Sequence, residues 1–221
     1  MKQIKFTIAG VLFLLLTVTS CTITQEYHFN RDLSGTATTT IDMTALMEFM
    51  ESMDTTESSN SLDTLDENFA ESAEQLKELG AENVEYGWKG EGKNIIFLSY
   101  EFDDIETLNT ILASQDATTG LTGGGDSDGP KAKFENRGKR KLIYKAPEMN
   151  DSELANNEEM ESMSEYYKFQ TIFTFDRRVK QLDAKAYELS DNKKKITQEA
   201  TLKEMLSDDY SQDFEVKLSI F

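Results

Sequence analysis

The segment from Ile23 to Asn30 alternates strictly, with Ile23, Gln25, Tyr27 and Phe29 on one side and Thr24, Glu26, His28 and Asn30 on the other. That period of two predicts a strand with one buried face. Arg31-Asp32-Leu33-Ser34-Gly35 reads as a turn, and the threonine-rich run Thr36 to Asp42 as the returning strand of a hairpin. Met43, Leu46, Met47, Met50 and Met53 then recur at helical spacing. After a polar stretch, Leu62, Leu65, Phe69, Ala73, Leu76 and Leu79 resume it, with Ser61 as the expected N-cap and Gly80 as the stop.

Strands are expected at Val84 to Lys89 and Asn94 to Phe102. The second carries apolar residues on both parities and reads as a central strand covered on both faces. Asp103 or Asp104 can cap a short helix bearing Ile105, Leu108, Ile111 and Leu112. Residues 114–130, with five glycines, read as a flexible loop. A hairpin follows at Lys131 to Ala146, turning near Asn136-Arg137-Gly138-Lys139. The acidic residues 151–165 fit a solvated helix or a loop equally well. Tyr166 to Asp176 is a strong strand, and shorter strands follow at 179–182, 184–189, 195–200 and 214–220, with a short helix near Leu202. Runs of strands with helices inserted between them predict an α+β fold, a largely antiparallel β-sheet with amphipathic helices packed on it, in a single domain over residues 21–221.

Residues 1–20 do not fit that body. Lys2 and Lys5 precede an apolar run from Ile8 to Val18, and small polar residues lead to Cys21. This is the layout of a cleaved export signal. The run is about half the roughly 20 residues a spanning helix needs. Val18-Thr19-Ser20-Cys21 resembles the lipobox of bacterial lipoproteins, which implies cleavage before Cys21 and a lipid on its thiol. Cys21 is the chain's one cysteine, so the exported body has no internal disulfide to rely on. Two or more acyl chains hold a protein stably at a bilayer without spanning it. The resemblance to lipoproteins, with their known sorting behaviour, implies that Thr22, not being aspartate, fits delivery to the outer membrane, facing the periplasm.

Loss of Lys2 and Lys5 takes the formal charge from −18 to −20. That balance makes the chain a poor prospect for nucleic-acid binding, which is dominated by Lys and Arg contacts to phosphate, and no nucleic acid is expected as a partner. Against it stands a basic hairpin: Lys131, Lys133, Arg137, Lys139, Arg140, Lys141 and Lys145 face a single acid, Glu135. Lys139, Arg140 and Lys141 are its candidate contacts for an anionic surface, a lipid headgroup or another envelope polymer. Charged solvent faces that neutralise each other are the simpler explanation.

The run Tyr27-His28-Phe29-Asn30-Arg31-Asp32-Leu33-Ser34-Gly35-Thr36, directly after the lipobox, resembles the opening of LppM-type lipoproteins and of uncharacterised relatives in Bacteroidetes. The segment Ile172-Phe173-Thr174-Phe175-Asp176, with Val179-Lys180, Ala184 and Leu189-Ser190-Asp191, is similar to a later run of that family. Asp176-Arg177 stands where the family often has Pro-Gly, and no C-terminal membrane helix is present before Phe221. The resemblance implies a strand-rich lipoprotein fold and carries no catalytic residue.

Catalytic and metal chemistry find little to build on. His28 is the one histidine, and a zinc site needs three or four convergent ligands. No cofactor or metal is expected, and no catalytic set. The competing class is a carboxylate-dependent envelope hydrolase, of glycoside hydrolase type, which needs two acids about 5–10 Å apart. The doublets Asp103-Asp104, Glu158-Glu159 and Asp208-Asp209 read more simply as caps or solvated ends. Gly123-Gly124-Gly125 lacks the Lys-Ser/Thr of a phosphate loop. Asp126-Ser127-Asp128-Gly129 has Arg137 where a calcium loop has its glutamate. Met43, Met47, Met50 and Met53 read as core, or as an adaptable binding groove. The function expected is therefore a membrane-anchored binding or scaffolding lipoprotein, its contacts being membrane lipid and another envelope protein or lipid.

Overall fold

The computed structural model describes residues 21–45, 47, 58–90, 94–114, 131–146, 167–205, 207 and 209–220, with backbone alone at 58–65 and at Lys139. The expected signal peptide, the loop beyond Ser114, the acidic segment 151–165, and Met50 and Met53 all lie outside these residues.

The fold is α+β, with eleven strands in two sheets among the described residues. The larger sheet holds β1 (Cys21–Phe29), β2 (Gly35–Asp42), β3 (Glu82–Lys89), β4 (Ile95–Phe102), β7 (Tyr167–Phe175), β9 (Glu188–Leu189) and β10 (Lys195–Thr201). Its order is β3-β4-β2-β1-β7-β10-β9. The smaller sheet, order β5-β6-β11-β8, holds β5 (Lys133–Arg137), β6 (Lys141–Lys145), β8 (Val179–Ala184) and β11 (Phe214–Leu218). The helices are α1 (Ser58–Glu78), α2 (Ile105–Ser114) and the four-residue α3 (Leu202–Met205).

Pairing is antiparallel except at the centre of the large sheet, where β1 and β7 run parallel from Cys21↔Tyr167 to Phe29↔Phe175. Two findings correct the sequence expectation. The structure has two sheets rather than one, because the chain leaves the large sheet after Phe175, forms β8 in the small one, and returns at β9. And β4 is covered on one face only: Ile96, Leu98, Tyr100 and Phe102 are buried while Ile95, Phe97 and Ser99 are half-exposed. Lys89 sets its Nζ 3.9 Å from the centre of the Phe97 ring, which is how an apolar residue is tolerated on the open face.

Local signals do set several element ends. Helix α1 stops in a Schellman motif: Ala81 N–H reaches Leu76 O at 3.0 Å and Gly80 N–H reaches Lys77 O at 3.2 Å. Gly80 takes φ +93, which its missing Cβ permits. The helix begins three residues before the expected cap, so Ser61 lies inside it. Asp104 caps α2, its Oδ1 accepting the Thr107 N–H at 2.8 Å. Thr201 and Glu204 form a reciprocal capping box at α3.

The core lies between the inner face of the large sheet and two covers. Over β3 and β4 lies α1, burying Phe69, Ala73 and Leu76, with Trp88 Nε1 donating to Asp66 Oδ1 at 2.9 Å. Over β1, β7 and β10 lies the small sheet. Phe173 is the hub between the sheets, touching the rings of Tyr27, Phe134, Tyr144, Tyr187 and Phe214, the last edge-to-face at 4.7 Å. Each such buried ring contributes roughly 2–3 kcal/mol by area alone. Met43 is buried and Met47 packs on the core, as a core reading of the methionines requires. On β1 and β2 the opposite face of the large sheet is polar, carrying Thr22, Thr24, Glu26 and His28, and Thr36, Thr38 and Thr40. Among the described residues no helix is long and apolar enough to cross a membrane.

Candidate functional site

Because β1 and β7 run parallel, the body has two distinct ends. Cys21 and Tyr167 mark one, and Phe29 and Phe175 the other. A nine-residue strand separates them by about 26 Å.

At the first end Cys21 is half-buried against the core edge. Burial, with Asp42 adding to it, pushes its thiol up to about 11. An unmodified Cys21 is then a neutral thiol at physiological pH and a poor nucleophile.

The second end is built from three connections. In the β1–β2 turn, Asn30 N–H donates to Ser34 O at 2.8 Å, and Leu33, at φ 76, sends its buried side chain into the core. Asp32 accepts from Ser34 Oγ at 2.8 Å and from its N–H at 3.2 Å. These bonds, with a smaller contribution from Arg177, hold its carboxyl below the ordinary range. The turn leaves Arg31 exposed.

The β7–β8 connection is tied to β1 by Asp176 N–H donating to Phe29 O at 3.0 Å, and His28 Nε2 lies 3.3 Å from Asp176 Oδ1. It presents Arg177, which is buried, and Arg178, which is exposed. Burial lowers the pKa of the Arg177 guanidinium, and Arg140 and Arg31 lower it further, partly offset by Asp32. Two arginines from two other loops therefore act on Arg177. The β9–β10 turn brings Lys193 and Lys194 to the same place, their carbonyls accepting from Val179 and Phe175.

The third connection is the basic hairpin itself. Between β5 and β6, residues Gly138–Arg140 form one turn of 3-10 helix. Arg137, Arg140 and Lys141 line a shallow, open depression of about 410 Å³ with Gln181, Glu215 and Lys217. The register sets Arg137 opposite Lys141, Lys141 opposite Lys217, and Lys217 opposite Gln181, so three cations stand in one cross-strand row. Directly opposed like charges destabilise a sheet. Among the described residues two acids temper the row: Glu215 pairs with Lys141 at 2.6 Å and Glu135 with Arg137 at 3.2 Å. Among the described residues Arg31, Arg140, Arg178 and Lys217 have no ion-pair partner.

Of the three basic residues singled out from the sequence, Arg140 and Lys141 thus belong to the site, and the side chain of Lys139 lies outside the described residues. Sequence reasoning missed Arg31, Arg177, Arg178 and Lys217. A usable signal was present: the chain has five arginines, at 31, 137, 140, 177 and 178, each beside a turn. All five stand on the turns and strand ends at this one end.

Acids gather in a second open depression on the same sheet, of about 420 Å³, which includes Glu135, Asp183, Asp213 and Glu215. Glu135 and Glu215 are committed to the pairs above, and Asp213 bonds Lys145 at 2.6 Å and the Ala146 N–H at 2.9 Å. Asp104 is occupied as a helix cap, Glu158-Glu159 and Asp208 lie outside the described residues, and Asp209 is exposed. Among the described residues no three His, Cys, Asp or Glu side chains converge as metal ligands, and His28 stands exposed on the polar face.

No described protein family matches the sequence, and no curated protein matches it. Among solved structures the chain is similar to the NMR structure of the folded domain of LppM from Mycobacterium tuberculosis, at 8% identity. The match covers 90% of this chain and 88% of that one, with a TM-score of 0.43. No relative from Bacteroidetes supports the second half of the expected resemblance.

Proposed function

We propose that the chain is a lipoprotein of the cell envelope, anchored through a lipid on Cys21 in the outer membrane and facing the periplasm, with a binding or scaffolding role rather than a catalytic one. The observation that carries this is the placement of Cys21. The first strand starts at the lipobox cysteine itself and runs straight into the centre of the large sheet, leaving no linker. A lipid there holds the body at the bilayer, and the arginine-bearing end faces away from it by the length of β1. Three of the four carboxylates in the acidic depression, Glu135, Asp213 and Glu215, are held by basic side chains, which favours binding over hydrolysis.

Fractionation and lipid labelling test the anchor. The wild type is expected to sediment with membranes and to incorporate labelled palmitate, while Cys21→Ala stays soluble and unlabelled. A wild type found in the soluble fraction, or a Cys21→Ala variant that still labels, overturns the anchor. Crosslinking in intact envelopes with both proteins tests the binding role, and recovery of no contact by the anchored wild type counts against it.

A further inference from the structure

We infer that the arginine-bearing end is a binding site for a soluble polyanion, an envelope polymer whose repeating carboxylates or phosphates lie across the loops carrying Arg31, Arg177 and Arg140 and along the row Arg137, Lys141 and Lys217. The inference rests on the binding role proposed above and gives it a ligand class.

Three observations carry it. First, the chain puts every arginine in one place and spreads its lysines, among them Lys77 on α1, Lys89 on β3 and Lys168 on β7. Arginine differs from lysine in its planar fork, which takes an oxyanion through two parallel N–H donors. Second, the cluster is held against its own repulsion, with Arg140 and Arg31 acting on the buried Arg177 and Lys141 standing between two cations. An oxyanion ligand relieves both. Third, this end lies on a body whose formal charge, without Lys2 and Lys5, is −20, so elsewhere the surface repels a polyanion and the field favours contact here.

The shape selects a polymer. The depression is open and about 410 Å³, and apart from Gly138 the residues that line it are charged or polar. Arg140 lines the depression, and Arg140 and Arg31 both act on Arg177, so the cationic side chains form an open track rather than a closed pocket. The track lies at the opposite end of β1 from Cys21, which directs it away from the membrane that holds the anchor.

The test uses the full chain, processed by its expression host and purified in detergent, with four probes: polygalacturonate, polyphosphate, neutral dextran and phosphatidylglycerol vesicles. Salt-sensitive binding of polygalacturonate or polyphosphate, and none of dextran, is expected; which polyanion binds tells carboxylate from phosphate as the recognised group. The combined variant Arg31→Gln, Arg140→Gln and Lys217→Gln changes exposed residues only, and unfolding midpoints confirm that it folds. It is expected to weaken binding roughly tenfold or more, while Lys77→Gln on α1 leaves it unchanged. Failure of both polyanions to bind at low salt overturns the inference, as does binding that the triple variant leaves intact. Binding of vesicles but not of either polymer, lost in the triple variant, also overturns it and assigns the end to a membrane surface. Each of these failures leaves the Cys21 anchor standing, because the anchor is read from fractionation and labelling.

Discussion

Asn109 on α2 pairs with the backbone of Phe134 on β5 as a neighbouring strand would: its Nδ2 donates to Phe134 O at 2.8 Å and its Oδ1 accepts Phe134 N–H at 2.7 Å. The edge of the small sheet is thereby closed by one side chain, and Phe134 is fixed where its ring meets Tyr27, Phe29, Tyr144 and Phe173. Asn109→Ala leaves both Phe134 groups without a partner and is expected to cost about 2 kcal/mol. Asn109→Asp keeps the acceptor, turns a carboxylate toward a carbonyl, and should cost at least as much. Urea unfolding reads both as a lower midpoint with unchanged slope. A midpoint unmoved by Asn109→Ala would show that the pair contributes nothing to stability.

Tyr187 tests the opposite sign in the same cluster. Its ring packs 5.3 Å from Phe214 and 5.7 Å from Phe173, and its hydroxyl is buried with no hydrogen-bond partner among the described residues. Burial accordingly pushes its pKa far above the ordinary value. Removing an unsatisfied buried hydroxyl while keeping the ring should raise stability, so Tyr187→Phe is expected to gain about 1 kcal/mol. Phe173→Ala, which empties the hub of the same cluster, is expected to lose about 4 kcal/mol. Thermal unfolding of the two variants should move the midpoint in opposite directions.

What the sequence shows of this fold divides by the range of the interaction. Asp104 as a cap, Gly80 as a stop and Asp32-Leu33-Ser34 as a turn are local chemistry, and each is found where its residues place it. The parallel pairing of β1 with β7 joins segments separated by most of the chain, and nothing in either strand's alternation names its neighbour. The second sheet is hidden for a related reason: β8 and β9 have similar short patterns, and only their register with β11 and β10 assigns them to different sheets. The double apolar parity of β4 misleads because Phe97 is covered by a lysine rather than by a second layer. The arginine-bearing end is half legible. Each arginine stands beside a readable turn, and their convergence needs the topology.

Gly35 opens β2 where no side chain fits. A Cβ built there would lie 1.9 Å from the His28 carbonyl oxygen and 2.9 Å from the Phe102 ring. The first obstacle is backbone in a paired strand, so relief requires shifting the β1–β2 register at its tightest point. Gly35→Ala is expected to destabilise the protein by about 3 kcal/mol, at the upper end of overpacking costs. Because the same turn carries Arg31, polyanion binding by the folded fraction should weaken as well. Chemical denaturation checks the first expectation, and titration under strongly native conditions the second.

Acid sensitivity should concentrate in the turns and caps. Asp104 is held below its ordinary 3.8 chiefly by the Thr107 N–H, Asp32 chiefly by the Ser34 hydroxyl, and Glu204 is held below 4.5 chiefly by the Thr201 N–H. Each is more acidic folded than unfolded. Its stabilising contribution is therefore complete above the unfolded pKa and disappears as the pH falls through the folded one. The three predict a stability plateau near neutral pH and a decline beginning at about pH 4.5. Their exposure to solvent keeps each contribution small. Asp104→Asn separates charge from hydrogen bonding at one of them, since the amide oxygen still accepts the Thr107 N–H. It should lower stability slightly at pH 7 and flatten the acid limb, so that wild type and variant converge as the pH falls through the folded pKa of Asp104. Urea midpoints measured from pH 7 to pH 3 decide it: parallel curves for the two proteins would mean that the Asp104 cap contributes through its hydrogen bond alone.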